Sequence, residues 1–187
     1  MNELIEANNK ALNIFNGNKN NSWIEWIHEQ RASNCCDVCI SLGGCYFLSS
    51  KMPAQPVHPK CHCETKPIDN PIVGVDIQAK VDEKKFKEYA LIFKSKSDKS
   101  GWFLKYGYDI MDTDYLVQEY FDQAAIKYAA GEYELERVPT NWGQKVKIII
   151  VLPDRIKGGT VRITSIWMVE PNGKICLKTP IVGVERS

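Results

Sequence analysis

Residues 145–179 read KVKIIIVLPDRIKGGTVRITSIWMVEPNGKICLKT, and the fold turns on them. Three runs rich in Val, Ile and Thr, at 145–152, 160–169 and 174–179, are divided by Pro153 to Gly159 and by Pro171-Asn172-Gly173. Branched side chains suit a pleated, half-buried surface, and Asn-Gly supplies the positive φ angles of a tight hairpin. The run 133–138, closed by Pro139-Thr140-Asn141, adds a strand upstream. Four consecutive strands joined by short turns predict a mainly antiparallel sheet.

Working outward, helices are expected before the strands. In 82–93, Phe86, Tyr89, Ala90 and Phe93 fall three and four apart, and Asp82 and Glu83 suit the positive end of a helix dipole. A short helix over 101–108 ends at Gly107. A longer one covers 113–130, with Asp112 as its cap, Val117, Phe121, Ala124 and Tyr128 as its apolar stripe and Gly131 as its stop. The aromatic residues Tyr115, Tyr120, Phe121 and Tyr128 read as core. The class is therefore α+β, with helices packed on one face of a four-stranded sheet and no parallel crossover required. Pro71-Ile72-Val73-Gly74-Val75 recurs as Pro180-Ile181-Val182-Gly183-Val184, a match short enough to be coincidence, though both copies suit edge strands.

The chain changes character near residue 66. KPIDNP at 66–71 carries prolines at Pro67 and Pro71 that interrupt regular structure, so the boundary separates a unit at 1–66 from one at 72–187. The first unit holds six of the seven cysteines, Cys35, Cys36, Cys39, Cys45, Cys61 and Cys63; only Cys176 lies beyond it. Residues 2–15 form a weak helical pattern, 16–22 a polar turn, and Trp23, Ile24, Trp26 and Ile27 an apolar patch suited to local core.

Composition narrows the classes. Against 24 Lys and Arg stand 23 Asp and Glu, so any nucleic-acid partner must meet a local patch rather than the field of the whole chain. The first thirty residues lack the apolar stretch of a secretion signal, which predicts reduced cysteines and a setting in the bacterial cytoplasm or, alternatively, in the virion. No run approaches the ~20 apolar residues that span a bilayer. No phosphate-cradling Gly loop, GxSxG, HExxH or GxGxxG motif occurs.

Cys36 and Cys39 form a CxxC, followed by His58-Pro59-Lys60-Cys61-His62-Cys63. A CxxC places two thiolates on one tetrahedral ion, and a distant second pair closes the loop, so a structural zinc is expected. The second pair comes from His58, Cys61, His62 and Cys63; spacing does not choose among them, and Cys61 with either His58 or Cys63 is favoured. Cys35 and Cys45 read as bystanders.

With Arg31, Leu42-Gly43-Gly44, Phe47 and Pro56-Val57, these residues make 20–66 resemble the C-terminal end of phage Mu F-like (MuF) minor head proteins. That family carries a Trp-containing lead-in, a CxxC, a Gly turn and an HPxCRC ending, of which His62 replaces the Arg here. The resemblance implies a phage or prophage origin, phage head or portal components as partners, and a C-terminal position in which such proteins carry polymorphic toxin domains. The layout of the second unit is similar to the barnase/EndoU/colicin/RelE ribonuclease group, with fragments Lys99-Ser100-Gly101-Trp102-Phe103 and Thr164-Ser165-Ile166-Trp167. This implies RNA, with tRNA one candidate, as substrate and a cognate immunity protein as partner.

Cleavage by a 2′-hydroxyl needs a base, an acid and cations for the charge gathering on phosphate. Residues 66–187 contain no histidine, so Lys, Arg, Tyr, Thr or carboxylates must serve. Alternation along 160–169 puts Arg162 and Thr164 on one face, and with Lys99 they are the candidate active surface. Lys94, Lys96, Lys105 and Trp102 offer cations and an aromatic platform for RNA. The competing expectation is a non-enzymatic phage structural or interaction protein with a zinc-organised docking tail.

Overall fold

The computed structural model describes residues 22–28, 36–68, 77–92 and 100–186. Its first part is a small antiparallel sheet. The central strand β1 (Trp23–Ile27) pairs with β2 (Tyr46–Leu48) on one side and β3 (Glu64–Pro67) on the other. Between β1 and β2 stands the short helix α1 (Asp37–Leu42), which buries Cys39 and Leu42. Pro67 closes the ladder opposite Ile24 rather than breaking it. An edge strand tolerates this because the missing N–H costs no bond on the open side.

The second part is a five-stranded sheet in the order β4-β8-β7-β6-β5, formed by β4 (Gln78–Lys80), β5 (Glu134–Leu135), β6 (Lys145–Pro153), β7 (Thr160–Glu170) and β8 (Lys174–Arg186). The expected α+β class holds, with three differences in the sheet. A fifth strand, β4, joins parallel to β8. It is three residues long and buries only Ala79, too short to show a period of two. The last strand also runs on past 179 through Pro180 to Val184. β8 absorbs the proline with register shifts against β7 between Thr164 and Trp167, as bulges allow. The first PIVGV copy, at 71–75, lies outside the described residues. β5 shrinks from the expected six residues to two, and Gln144 instead donates its side-chain amide to the carbonyls of Arg137 and Lys145 (2.8 and 2.6 Å).

The helices lie on the apolar face. Residues 85–90 form one π-helical turn, closed by the Leu91 N–H on the Phe86 carbonyl (3.0 Å); it buries Phe86 and Ala90 but leaves Tyr89 45% exposed. Helix α2 (Ser100–Lys105) stops at Gly107, whose φ of +83° is open to glycine at little cost. Helix α3 (Thr113–Ala129) buries Thr113, Leu116, Tyr120, Ala124 and Tyr128. The expected stripe is thus correct at Ala124 and Tyr128 and wrong at Phe121, which is 41% exposed. Tyr120 takes the inward place because its hydroxyl, once buried, donates to the Pro180 carbonyl (2.8 Å).

Asp112 does not bond its side chain to α3. It accepts the Asp109 N–H (2.9 Å) and the Arg155 guanidinium (2.6 Å), while Asp109 accepts the Met111 N–H (2.8 Å) and so caps the turn Ile110–Asp112. At the other end, Gly131 (φ +70°) ends α3 with paired bonds, Gly131 N–H to Tyr128 and Glu132 N–H to Lys127 (2.9 and 2.7 Å). This is the glycine stop of a Schellman turn.

One apolar core joins both sheets. Trp23 packs against Tyr128 (ring centres 5.5 Å apart), and Tyr128 stacks on Tyr133 (4.6 Å). The polar ends of these rings are satisfied across the junction: Tyr128 donates to the Tyr46 carbonyl (2.6 Å), and the Tyr133 hydroxyl accepts the Leu48 N–H (2.9 Å) and donates to the Lys51 carbonyl (3.1 Å). No helix among the described residues is long and apolar enough to cross a membrane.

Candidate functional site

The fold brings the cysteines and His58 together at the edge of the small sheet. Helix α1 presents Cys36 and Cys39 one turn apart, and the loop before β3 brings His58, Cys61 and Cys63 back to them. Two triads result, Cys36-Cys39-His58 and Cys39-Cys61-Cys63, meeting at Cys39. The sulfurs of Cys36 and Cys39 are 3.6 Å apart and those of Cys39 and Cys61 3.7 Å. His58 Nε2 lies 3.1 Å from Cys36 and 3.0 Å from Cys39. His62 is exposed and belongs to neither triad.

The electrostatics fit a cation. The Cys39 backbone N–H, with help from Cys36's other neighbours, holds the Cys36 thiol below its ordinary value. Burial works against ionisation of Cys61, yet the Cys63 and Val57 N–H groups outweigh it and lower that thiol too. Cys39 is pushed far up, by burial first and then by the thiols of Cys63, Cys36 and Cys61 around it. Crowded sulfurs that resist joint ionisation become mutually compatible once a dication sits among them. His58 shares a bond with the Pro59 carbonyl through Nδ1 (2.8 Å), which raises its pKa and turns the Nε2 lone pair toward the sulfurs. The cluster could therefore bind a metal ion. Cys45 stands apart, fully buried near the Ser41 and Val169 carbonyls, its thiol pushed up to about 12 by burial. Cys35 lies outside the described residues.

A second candidate site occupies the outer face of the large sheet. Here a cleft of about 670 Å³ is lined by four cations, Lys51, Lys127, Lys147 and Arg162, and three carboxylates, Glu132, Glu134 and Glu185, together with Thr164. The strand register explains the grouping. Thr164 lies across from Ile149, and Arg162 stands between Val151 and Glu185 on its two neighbours. Their backbone partners alternate with Ile148, Ile150 and Ile163, which face the core.

Helix α3 closes one wall. Gln123 donates to the Val151 carbonyl (2.7 Å) and accepts the Val151 N–H (2.8 Å), imitating the strand that β5 is too short to provide. One turn later Lys127 donates to the Ile149 carbonyl (2.6 Å) and Gln123 Oε1 (3.1 Å). Burial lowers the pKa of Lys127; Glu132 opposes the shift and Arg162 adds to it. Lys51 donates to the Gly131 carbonyl (2.7 Å) and lies 5.7 Å from the Tyr133 ring centre.

Of the residues singled out in the sequence, Arg162 and Thr164 share this cleft. Lys105 and Trp102 do not line it; they lie together on α2, with Lys105 Nζ 5.6 Å from the Trp102 ring centre. Lys94, Lys96 and Lys99 lie outside the described residues. The carboxylates escape a sequence reading because they come from three separate places, the end of β8, β5 and the turn after α3.

Comparison of the chain with known protein families, with characterised proteins and with solved structures finds no match. The molecule is an α+β protein whose two candidate sites rest on their own geometry.

Proposed function

We propose that this chain is a phage-derived MuF-type polymorphic toxin whose cleft cuts RNA without a metal in the bacterial cytoplasm, while zinc in the cysteine cluster has a structural role. The observation that carries the reading is the cleft itself. It supplies, around Arg162 and Thr164, the carboxylates that a histidine-free ribonuclease requires. Glu185, directly across from Arg162, takes the proton of a ribose 2′-hydroxyl, and the freed oxygen attacks the adjacent phosphorus. Arg162 and Lys147 hold the charge that gathers on the phosphoryl oxygens, and Thr164 donates a hydrogen bond to one of them. The P–O5′ bond breaks as Lys127, whose ammonium has two of its three N–H groups committed, gives a proton to the leaving oxygen. The products are a 2′,3′-cyclic phosphate and a free 5′-hydroxyl. Lys105 and Trp102 extend RNA contact beyond the cleft in this account, Lys99, Lys94 and Lys96 are further RNA-contact candidates on sequence alone, and a cognate immunity protein covers the cleft.

The test is inducible expression of the full chain in bacteria, with RNA examined by electrophoresis. Growth arrest with fragmentation of tRNA or other RNA, lost in Arg162→Ala and Glu185→Gln, supports the reading. Intact RNA and normal growth at high soluble expression sink it. Zinc per chain is measured separately, in wild type and Cys36→Ser.

A second reading, a non-enzymatic phage interaction module, is favoured by Val138 and Trp142. Both are largely exposed in the turn that Ser41 ties to α1 through the Thr140 carbonyl (3.0 Å). Partners in that case are phage head or portal components, and intact RNA in the same experiment is its expected result.

A further inference from the structure

Trp26 has no exposed surface, and its indole Nε1–H has no hydrogen-bond partner in the described structure. A buried donor left unpaired is costly, so such groups are rare without a reason. Its surroundings supply one. In the β1–β3 ladder Trp26 pairs with Thr65. Cys63 stands one residue before β3 and two before Thr65, where the ladder continued by one residue makes it the diagonal neighbour of Trp26. Cys63 is partly buried and packed against the same core as Trp26. A neutral thiol is a weak acceptor for an indole N–H; a thiolate is a strong one.

The sulfur spacings point the same way. Thiolates bound to one tetrahedral zinc at ~2.3 Å stand about 3.7 Å apart, whereas a bound imidazole nitrogen and a thiolate stand about 3.5 Å apart. The Cys36–Cys39 and Cys39–Cys61 separations of 3.6 and 3.7 Å match the first value. His58 Nε2, at 3.0 and 3.1 Å, is closer than the second.

We propose that the metal ligands are Cys36, Cys39, Cys61 and Cys63, that His58 stands outside the coordination sphere, and that the Trp26 indole N–H is the donor to the Cys63 thiolate. The assignment rests on the zinc reading above. Cys39 is common to both sulfur edges, and Cys36 turns onto the Cys39-Cys61-Cys63 face when the ion is held. The indole N–H then gains the acceptor it lacks, which links the ion to the core of the small sheet.

The test uses the full chain loaded with cobalt(II), zinc or cadmium-113. Near-ultraviolet thiolate-to-cobalt absorption in wild type corresponds to four thiolates. His58→Ala keeps that absorption and one equivalent of metal, and Cys63→Ser loses about a quarter of it, one sulfur of four. In the cadmium-113 form, the Trp26 indole proton shifts on loading and couples to the metal through the sulfur. Trp26→Phe binds zinc 10–100-fold more weakly, the usual range for loss of an outer-shell partner, while the metal-free variant is no less stable than wild type. Should Trp26→Phe fail to fold, the cadmium measurement on wild type decides. A wild-type chain that takes up no zinc overturns the metal reading and the assignment with it. One equivalent bound, with cobalt absorption unchanged in Cys63→Ser and reduced in His58→Ala, or with no response of the indole proton, overturns the assignment alone.

Discussion

The Tyr133 hydroxyl satisfies two backbone groups of the small sheet at once, accepting from Leu48 and donating to Lys51. Tyr133→Phe leaves the buried Leu48 N–H without a partner, so we expect a loss of about 1–3 kcal/mol in denaturant unfolding. Gly131 is comparably exacting. At φ +70° an alanine incurs about 1–2 kcal/mol of left-handed strain, and its Cβ would stand 2.9 Å from Leu48 Cδ2. Gly131→Ala therefore lowers the unfolding free energy by at least that strain, whether or not Leu48 moves aside. Asp112 has a pH signature. Burial raises its pKa, but the Asp109 N–H and Arg155 outweigh burial and hold it below the ordinary range. A carboxyl depressed in the folded state stabilises above its unfolded pKa and loses that contribution as pH falls through the folded value. Between about pH 4 and lower values, wild type should lose stability more steeply than Asp112→Asn. Equal acid slopes in the two proteins would show that the Arg155 pair contributes nothing. The pair is partly exposed, so the effect is small.

At the level of elements, α3 acts as a substitute strand. Gln123 closes the β6 edge at Val151 with the donor and acceptor that a neighbouring strand would bring. Gln123→Ala opens that edge, and open edges recruit other strands. The expected outcome is a lower melting temperature together with concentration-dependent association in light scattering. None of this is visible in the sequence, where Gln123 is one polar residue on a helix. What is visible follows from local chemistry: Asn172-Gly173 marks its hairpin, Gly131 its helix stop, and alternation on β7 puts Arg162 and Thr164 side by side. Glu185 joins them only because β8 continues past Pro180, which a local reading takes as an ending. Phe121 and Tyr120 differ in fate because one hydroxyl finds the Pro180 carbonyl sixty residues away. Long-range partners of this kind leave no mark on neighbouring residues.

For the whole molecule, the shared core decides how it unfolds. Trp23 and Leu48 cover Tyr128 and Tyr133, so the small sheet is part of the interior of the large one. If zinc is bound, its removal by a chelator should lower a single calorimetric transition rather than melt the first unit alone. Two transitions, with the later one unmoved, would contradict that coupling. For the same reason residues 66–187 expressed alone would expose the aromatic surface that β1 and β2 cover, and the full chain is the right material for activity. The parallel strand β4 carries a consequence of another kind. Gln78 finds its partner, Lys174, 96 positions further on, so a chain emerging from the ribosome has made β4 long before anything exists to pair with it. The small sheet can close within its first 67 residues, but the outer face bearing Arg162 and Glu185 is assembled only when the last strand arrives. The cleft is therefore unfinished until β8 has been made and paired with β7.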